Sequence, residues 1–323
     1  MSTDLCALLK RTGLFFICCA FAAEASAREL PVRVWIDTDP ALGMLFRDAD
    51  DGLALLQALH SPELEIAGIS VGKGNSDVPD GTRIARRLVA NCAHAHSGAL
   101  PRVYAGRTSA ARSSADDALH AALSRRLTYV ALGPLTNLAA FLRENPSRAA
   151  NIRRVIFLGG ELPNSSLRAG GWNRYRFTDA NFFKDPAAAE TVLRAGIPIT
   201  LVPIDISRGI SLSAADMRQL RRASSCSRYV AEKAGGWFLG WRVFFGVREA
   251  PVFDALVLLA VTHPQWVRTR FMSYEVQKKG KTPRLLLLPK VEEETRDSVT
   301  VITGFDPRAR EEVIQRLATP DLQ

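Results

Sequence analysis

Histidine is scarce in this chain, and none of the five (His60, His94, His96, His120 and His263) falls in a motif that would make it a catalytic base or a metal ligand. His60 closes a predicted helix, where a cation is mildly favourable, and His94 and His96 fall in a predicted loop. The G-x-S-x-G turn of serine hydrolases is absent, and "ISVGKGN" lacks the spacing of a phosphate-binding loop. Cysteine is equally scarce: three of five, Cys6, Cys18 and Cys19, lie in the first 27 residues, leaving Cys92 and Cys226. Two cysteines can make one disulfide in an oxidising compartment, but nothing in the sequence brings them together, so the pair reads as incidental. No apolar run reaches the roughly 20 residues that a bilayer-spanning helix needs. Internal repeats, low-complexity tracts and long linkers are also missing, which argues for one domain.

What is present begins with an amino-terminal leader. Lys10 and Arg11 form a basic flank, "TGLFFICCAFAA" an apolar core that Glu24 ends, and "ASA" before Arg28 a small-residue cleavage pattern. Residues 1–27 therefore read as a signal peptide and 28–323 as the mature domain, exported, with the periplasm as the expected compartment and no stable membrane association after cleavage. The charge of +9 survives that cleavage, because Asp4 and Glu24 leave with Lys10 and Arg11. Basic residues are scattered ("RRLVA", "LSRRL", "NIRRV", "QLRRA") rather than gathered in a stripe with aromatics, so a solvated surface is expected and nucleic-acid binding is not.

Along the mature chain, short β-branched runs at 32–37, 64–71, 127–132, 153–159, 199–205 and 298–304 alternate with helical patterns near 51–60, 80–92, 115–126, 135–143, 186–195, 214–223 and 251–262. This alternation predicts an α/β fold: one domain with a mostly parallel central sheet and helices on both faces. In such folds functional groups gather at the carboxyl ends of strands. Here those ends run into "DTDP", "VGKGN", "ALGPLTN" and "LGGELPN".

Although basic residues outnumber acidic ones, 42 to 33, five aspartates (Asp37, Asp39, Asp48, Asp50 and Asp51) crowd into residues 37–51. Clustered carboxylates repel and raise one another's pKa unless something positive sits among them. Oxygen-only ligation without nearby His or Cys points to Ca²⁺ or Mg²⁺ rather than zinc. One aspartate could merely cap the following helix or be solvated; all five could not.

"DTDP…DADDGLAL" resembles the amino-terminal signature of the inosine-uridine-preferring nucleoside hydrolase family, D-x-D-P-G-x-D-D-x-x-A, with an insertion at 41–49. "SVGKGN", "VALGPLTNLA", "VIFLGG", "NRYRFTDANFFKDPAAAETVL" and "VFDALVLLA" are similar to its later motifs, in the same order, over roughly residues 32 to 305. The resemblance implies hydrolysis of the N-glycosidic bond of ribonucleosides to ribose and free base, with a calcium-bound water. It implies that Asp39, Asp51 and Asp254 ligate Ca²⁺ with the main-chain carbonyl of Leu132, and that Asp39 is also the base. It further places the ribose 2′- and 3′-hydroxyls on Asp50, Asn75, Asn181 and Asp254, and the 5′-hydroxyl on Asn173 and Asp179, with Asp37 as a supporting carboxylate. The chemistry is consistent: an oxocarbenium-like transition state is stabilised by nearby carboxylates, and asparagine offers sugar hydroxyls both a donor and an acceptor.

Two positions depart from the family pattern. Asp179 stands where Glu is usual, and Phe253 where many members carry the His that protonates the leaving base. Purine-preferring members place an aromatic residue there, which implies a purine preference, with Trp237 or Trp241 of "GGWFLGWRVFFG" as the opposite face of the base. The spacing of those aromatics also suits an amphipathic helix packed on the core. An aspartyl-nucleophile phosphatase would share the D-x-D start but needs a Lys and a later acidic pair that are not clearly supplied. An exported binding protein that keeps the calcium and ribose sites without turnover is the alternative, and the oligomeric state, a homo-oligomer included, is left open.

Overall fold

A computed structural model describes residues 30–92, 99–162, 168–169, 175–277, 282–290 and 298–320; the leader and Asn173 lie outside the described residues. Residues from 31 onward form one compact unit. Its centre is a nine-stranded sheet. The strands are β1 (Val32–Thr38), β2 (Leu64–Val71), β3 (Val103–Ala105), β4 (Leu127–Ala131), β5 (Ile152–Leu158), β8 (Ile199–Val202), β11 (Val267–Gln277), β12 (Arg284–Lys290) and β13 (Ser298–Phe305), in the order β12-β11-β13-β8-β5-β4-β1-β2-β3. Every neighbouring pair from β13 to β3 is parallel, while β11 runs antiparallel to both β13 and β12. Two-residue strands complete the set: β6 (Arg168–Ala169) pairs with β7 (Tyr175–Arg176), and β9 (Ser211–Leu212) with β10 (Ala250–Pro251).

Parallel strands are buried on both faces, and the period of two sends alternate side chains into two cores. Val34 and Ile36 of β1, Val130 of β4 and Ile156 of β5 enter one core. That core is closed by α1 (Asp50–Leu59), α2 (Val78–Asn91), α8 (Ala214–Ala223), α9 (Ser225–Lys233), α11 (Ala255–Thr262) and α12 (Arg308–Leu317). Trp35, Tyr129 and Phe157 enter the other, under α3 (Ser114–Ala122), α4 (Thr136–Glu144) and α6 (Pro186–Leu193). Helix starts follow local chemistry: Ser113 and Ser213 form reciprocal capping boxes with Asp116 and Asp216, and Asp77 accepts from the Asp80 N–H. The remaining helices are α5 (Ala180–Lys184), α7 (Ile204–Ser207) and α10 (Gly235–Phe245).

The run predicted as a strand to residue 205 ends at Val202, since Pro203 offers no N–H to the ladder and the chain coils into α7. The reading of the two cysteines as incidental is corrected. Cys92, at the end of α2, and Cys226, in α9, are disulfide-bonded with Cα atoms 4.8 Å apart, because α2 and α9 pack together over the sheet. Among the described residues no helix is long and apolar enough to cross a membrane.

Candidate active site

The site lies along the carboxyl edge of the parallel strands, and it is built by what each strand delivers on leaving the sheet. β1 hands off Asp39, and the chain returns at α1 with Asp50 and Asp51 in its first turn, where the helix dipole favours negative charge. The residue just beyond β4 is Leu132, and the turn after β2 carries Asn75. Asp179 caps α5, and Asp254 precedes α11. Two glycines make this approach feasible. A Cβ on Gly133 would sit 2.9 Å from Asp39 Oδ1, and one on Gly74 would overlap Asp39 Oδ2, so the Asp39 carboxylate is held between two bare backbones.

Asp50, Asp51 and Asp254 converge, each offering a carboxylate oxygen within 4.8 Å of the others, and all three are buried. Asp51 Oδ1 accepts from the Thr38 hydroxyl at 2.5 Å and from the Asp39 N–H at 3.1 Å. Asp254 Oδ1 is buried and has no hydrogen-bond partner. Burial pushes the Asp51 carboxyl up to about 8, with the charge of Asp39 adding to the effect and the Thr38 hydrogen bond opposing it. Burial, and then the charges of their acidic neighbours, raise Asp50 and Asp254 well above the ordinary carboxylate range. An all-oxygen donor set, an orphaned buried oxygen and mutual repulsion together fit a hard divalent cation.

Asp39, expected among the metal ligands, lies outside that group of three, and its Oδ2 accepts from the Asn75 N–H at 2.5 Å and from Lys184 Nζ at 3.3 Å. The Leu132 carbonyl accepts from Asn181 Nδ2 at 2.7 Å, an amide that also reaches the Leu158 carbonyl at 3.2 Å. Asn75 Nδ2 donates to the Asp48 carbonyl at 2.9 Å. Asp48 caps the incoming chain, accepting from the Ala49 and Asp50 N–H groups. Asp179 Oδ1 accepts from the Asn181 and Phe182 N–H groups and Oδ2 from Gly160, and burial still carries its carboxyl up to about 6. Oδ1 thus holds the first turn of α5 in place, and Oδ2 ties it to the turn after β5. Behind the site, Asp37 Oδ1 accepts from Ser70 (2.6 Å) and Asn137 (2.9 Å).

A cavity of about 320 Å³ is lined by Asp39, Asp50, Asp51, Asn181 and Asp254 together with Phe177 and Phe253. That volume falls at the lower end of small-ligand sites, of roughly 300–1,000 Å³. A larger cavity of about 640 Å³ shares Lys184 but is walled by Lys73, Arg107 and Arg143 and holds no carboxylate cluster. The chemistry belongs to the smaller one.

A family profile described as inosine-uridine preferring nucleoside hydrolase matches residues 34–312. The chain belongs to that family. Membership makes it an N-ribosyl hydrolase. Uridine nucleosidase 1 of Arabidopsis thaliana is 28% identical over 262 residues, spanning 72% of this chain and 74% of the relative. Two solved structures share the fold. A plant nucleoside hydrolase superposes with a TM-score of 0.73 at 24% identity, covering 90% of this chain and 100% of its own. A purine-preferring ribonucleoside hydrolase from Gardnerella vaginalis does so with 0.71 at 23%, covering 88% and 98%.

In this nucleoside hydrolase the residues that sequence reading missed are those whose role depends on the fold. Lys184 reaches Asp39 across 145 positions of sequence. Phe177, beyond β7, stacks on Trp241 with centroids 5.4 Å apart. Trp241 in turn lies 6.4 Å from Phe253. Trp237 and Trp241 are buried and line a neighbouring trough rather than the carboxylate cavity, so Phe177 is the aromatic that lines it together with Phe253. An aromatic directly before the "TDANFF" motif was the only local signal for it.

Proposed function

We propose that the chain hydrolyses ribonucleosides to ribose and free base with calcium as its cofactor, and accepts purines. The observation that carries this reading is the convergence of three buried carboxylates in a small cavity that Phe177 and Phe253 also line. Asp39, Asp51, Asp254 and the Leu132 carbonyl would hold the cation. When bound, calcium polarises the attacking water and orients the ribose diol. The Asp39 carboxylate would take up the proton of the attacking water. Asp50, Asn75 and Asn181 bind the ribose hydroxyls, and the anionic wall stabilises the positive charge that develops on the ring. Asn173 and Asp179 meet the 5′-hydroxyl. Phe253 and Phe177 exclude water from the base and present flat apolar surfaces that suit a bicyclic ring. The name of the Gardnerella relative favours purines, that of the Arabidopsis relative uridine, and the aromatic wall tips the proposal to purines.

Export rests on the leader and on the Cys92–Cys226 bond, which belongs to oxidising compartments. Amino-terminal sequencing of the secreted protein should start at Arg28. One observation favours a ribosyl-binding protein without turnover: Lys184 occupies the carboxylate assigned as base. The test is ribose release from a panel of purine and pyrimidine nucleosides, with chelator and then added Ca²⁺. Release that chelator stops and calcium restores supports the reading; calcium and nucleoside binding without ribose release would replace it with the binding protein.

A further inference from the structure

The basic cavity of about 640 Å³ beside the active site takes no part in the reaction above, yet the carboxyl edge of the sheet builds it. The turn after β2 supplies Lys73, the segment after β3 Arg107, α4 Arg143 and α5 Lys184. Lys73 and Arg143 are exposed, and among the described residues neither has an ion-pair or hydrogen-bond partner. Arg107 is fixed instead: its Nε meets Asp116 at 2.9 Å, its Nη1 meets Glu144 at 2.6 Å, and only 7% of its side chain is exposed. Its Nη2 is buried with no hydrogen-bond partner. Of the two carboxylates on the wall, Glu144 is engaged by Arg107, and Asp185 accepts from the Thr136 hydroxyl at 2.7 Å and the Ala188 N–H at 2.9 Å. Cations gathered in a cavity repel one another, and an anion among them relieves that repulsion.

The basic cavity also touches the reacting groups. Lys184 lines both cavities, and its Nζ lies 3.3 Å from Asp39 Oδ2. Gly74 is the partition: it lines the basic cavity, and the space its missing side chain leaves is filled by Asp39 Oδ2. The Lys184 side chain is 30% exposed and carries its charge on a flexible four-carbon stem. Its ammonium can therefore serve Asp39 or an anion in the basic cavity, and the two compete for it.

We propose that the basic cavity binds a phosphate dianion, free or as the end of a small phosphate ester, through Lys73, Arg143 and Lys184, and that this anion draws Lys184 away from Asp39. Guanidinium and ammonium groups match phosphate oxygens, and a cavity of this size leaves room for an ester. The binding stands on its own, whereas its effect on turnover rests on the hydrolase reading above. In that reading Lys184 occupies the oxygen that takes up the proton, so phosphate raises the rate.

Calorimetry on the calcium-free protein in chloride buffer tests the site, with inorganic phosphate and ribose 5-phosphate as probes and Lys73→Ala, Arg143→Ala and Lys184→Met beside the wild type. Lys73 and Arg143 are solvent-exposed, so the fold tolerates their loss. Saturable binding of one phosphate per chain is expected, weakened at least fivefold by each variant. Asp39→Asn, which removes the competitor for Lys184, should tighten phosphate at least threefold, and should fail to do so when combined with Lys184→Met. Ribose 5-phosphate that binds at least threefold tighter than phosphate, and loses affinity in the same variants, assigns the site to esters; equal or weaker binding assigns it to free phosphate. Absence of saturable phosphate binding, or binding that the variants leave unchanged, overturns the site, and an unaltered phosphate affinity in Asp39→Asn overturns the exchange of Lys184. With calcium loaded, saturating phosphate should raise kcat/KM for nucleoside hydrolysis at least threefold in the wild type and leave Lys184→Met unchanged; a wild-type rate indifferent to phosphate overturns the coupling. A protein that binds phosphate in the expected pattern but releases no ribose keeps the site and loses the hydrolase reading alone.

Discussion

Gly74→Ala is the substitution most sharply constrained by this structure. The added Cβ would overlap Oδ2 of Asp39, with the carboxyl carbon 2.8 Å away and the Pro134 ring at 3.0 Å. The nearest Pro134 atom belongs to a rigid ring, so the Asp39 side chain is the group that has to yield. Its carboxylate must swing by an ångström or more, giving up the Asn75 N–H and the Lys184 ammonium. A displacement of about 1 Å in a reacting group costs about 10²-fold in rate, or about 2.7 kcal/mol of barrier. Overpacking of this kind costs about 1–3 kcal/mol in stability. The assay is kcat/KM for nucleoside hydrolysis beside urea unfolding of the same preparation: a folded protein slowed about a hundredfold is expected. A Gly74→Ala protein keeping half the wild-type kcat/KM would refute both the packing argument and the role of Asp39.

Asp51→Ala should abolish calcium binding, read by calorimetry, together with activity; full activity would remove Asp51 from the metal site. Asp179 titrates near 6 in the fold against 3.8 ordinarily, so between those values the folded state holds a proton that the unfolded chain has lost. The Asp179 share of the stability of the calcium-free protein should therefore fall as pH rises from about 4 to 6, by up to about 3 kcal/mol, and Asp179→Asn should remove that share from the slope in a pH series of urea unfolding. Replacing Cys92 and Cys226 together by Ser should lower stability by about 4–5 kcal/mol, the chain-entropy value for closing a loop of 134 residues, and two titratable thiols in the unreduced wild type would show that the bond does not form.

The parallel strands were legible because fully buried β-branched runs such as "VRVWID" and "RRVIFLG" have no other use in a chain that alternates with capped helices. The edge pair was not: β11 is mostly half-exposed or exposed, and "VRTRFMSYEVQ" carries no clean alternation for the eye to find. The acidic wall could be read from Asp39, Asp50 and Asp51, which are near in sequence, and from Asp254 only through the resemblance. Lys184 could not be read at all, and Phe177 only from its place before a motif, because each becomes part of the site only when α5 is laid against the end of β1. Gly74 and Gly133 show the same limit. The sequence marks them as turn residues, whereas the structure shows that each is the space into which the Asp39 carboxylate fits.

The Cys92–Cys226 bond also changes what damage to this chain means. A protease that cuts any peptide bond between those two residues leaves pieces that cannot drift apart, since the amino-terminal piece carrying the strand with Asp39 stays tethered to the piece carrying Asp254. A clipped molecule would migrate as a single species on a non-reducing gel and fall into fragments once reductant is added. In an environment rich in proteases, the bond lets both halves of the acidic wall outlast a broken backbone.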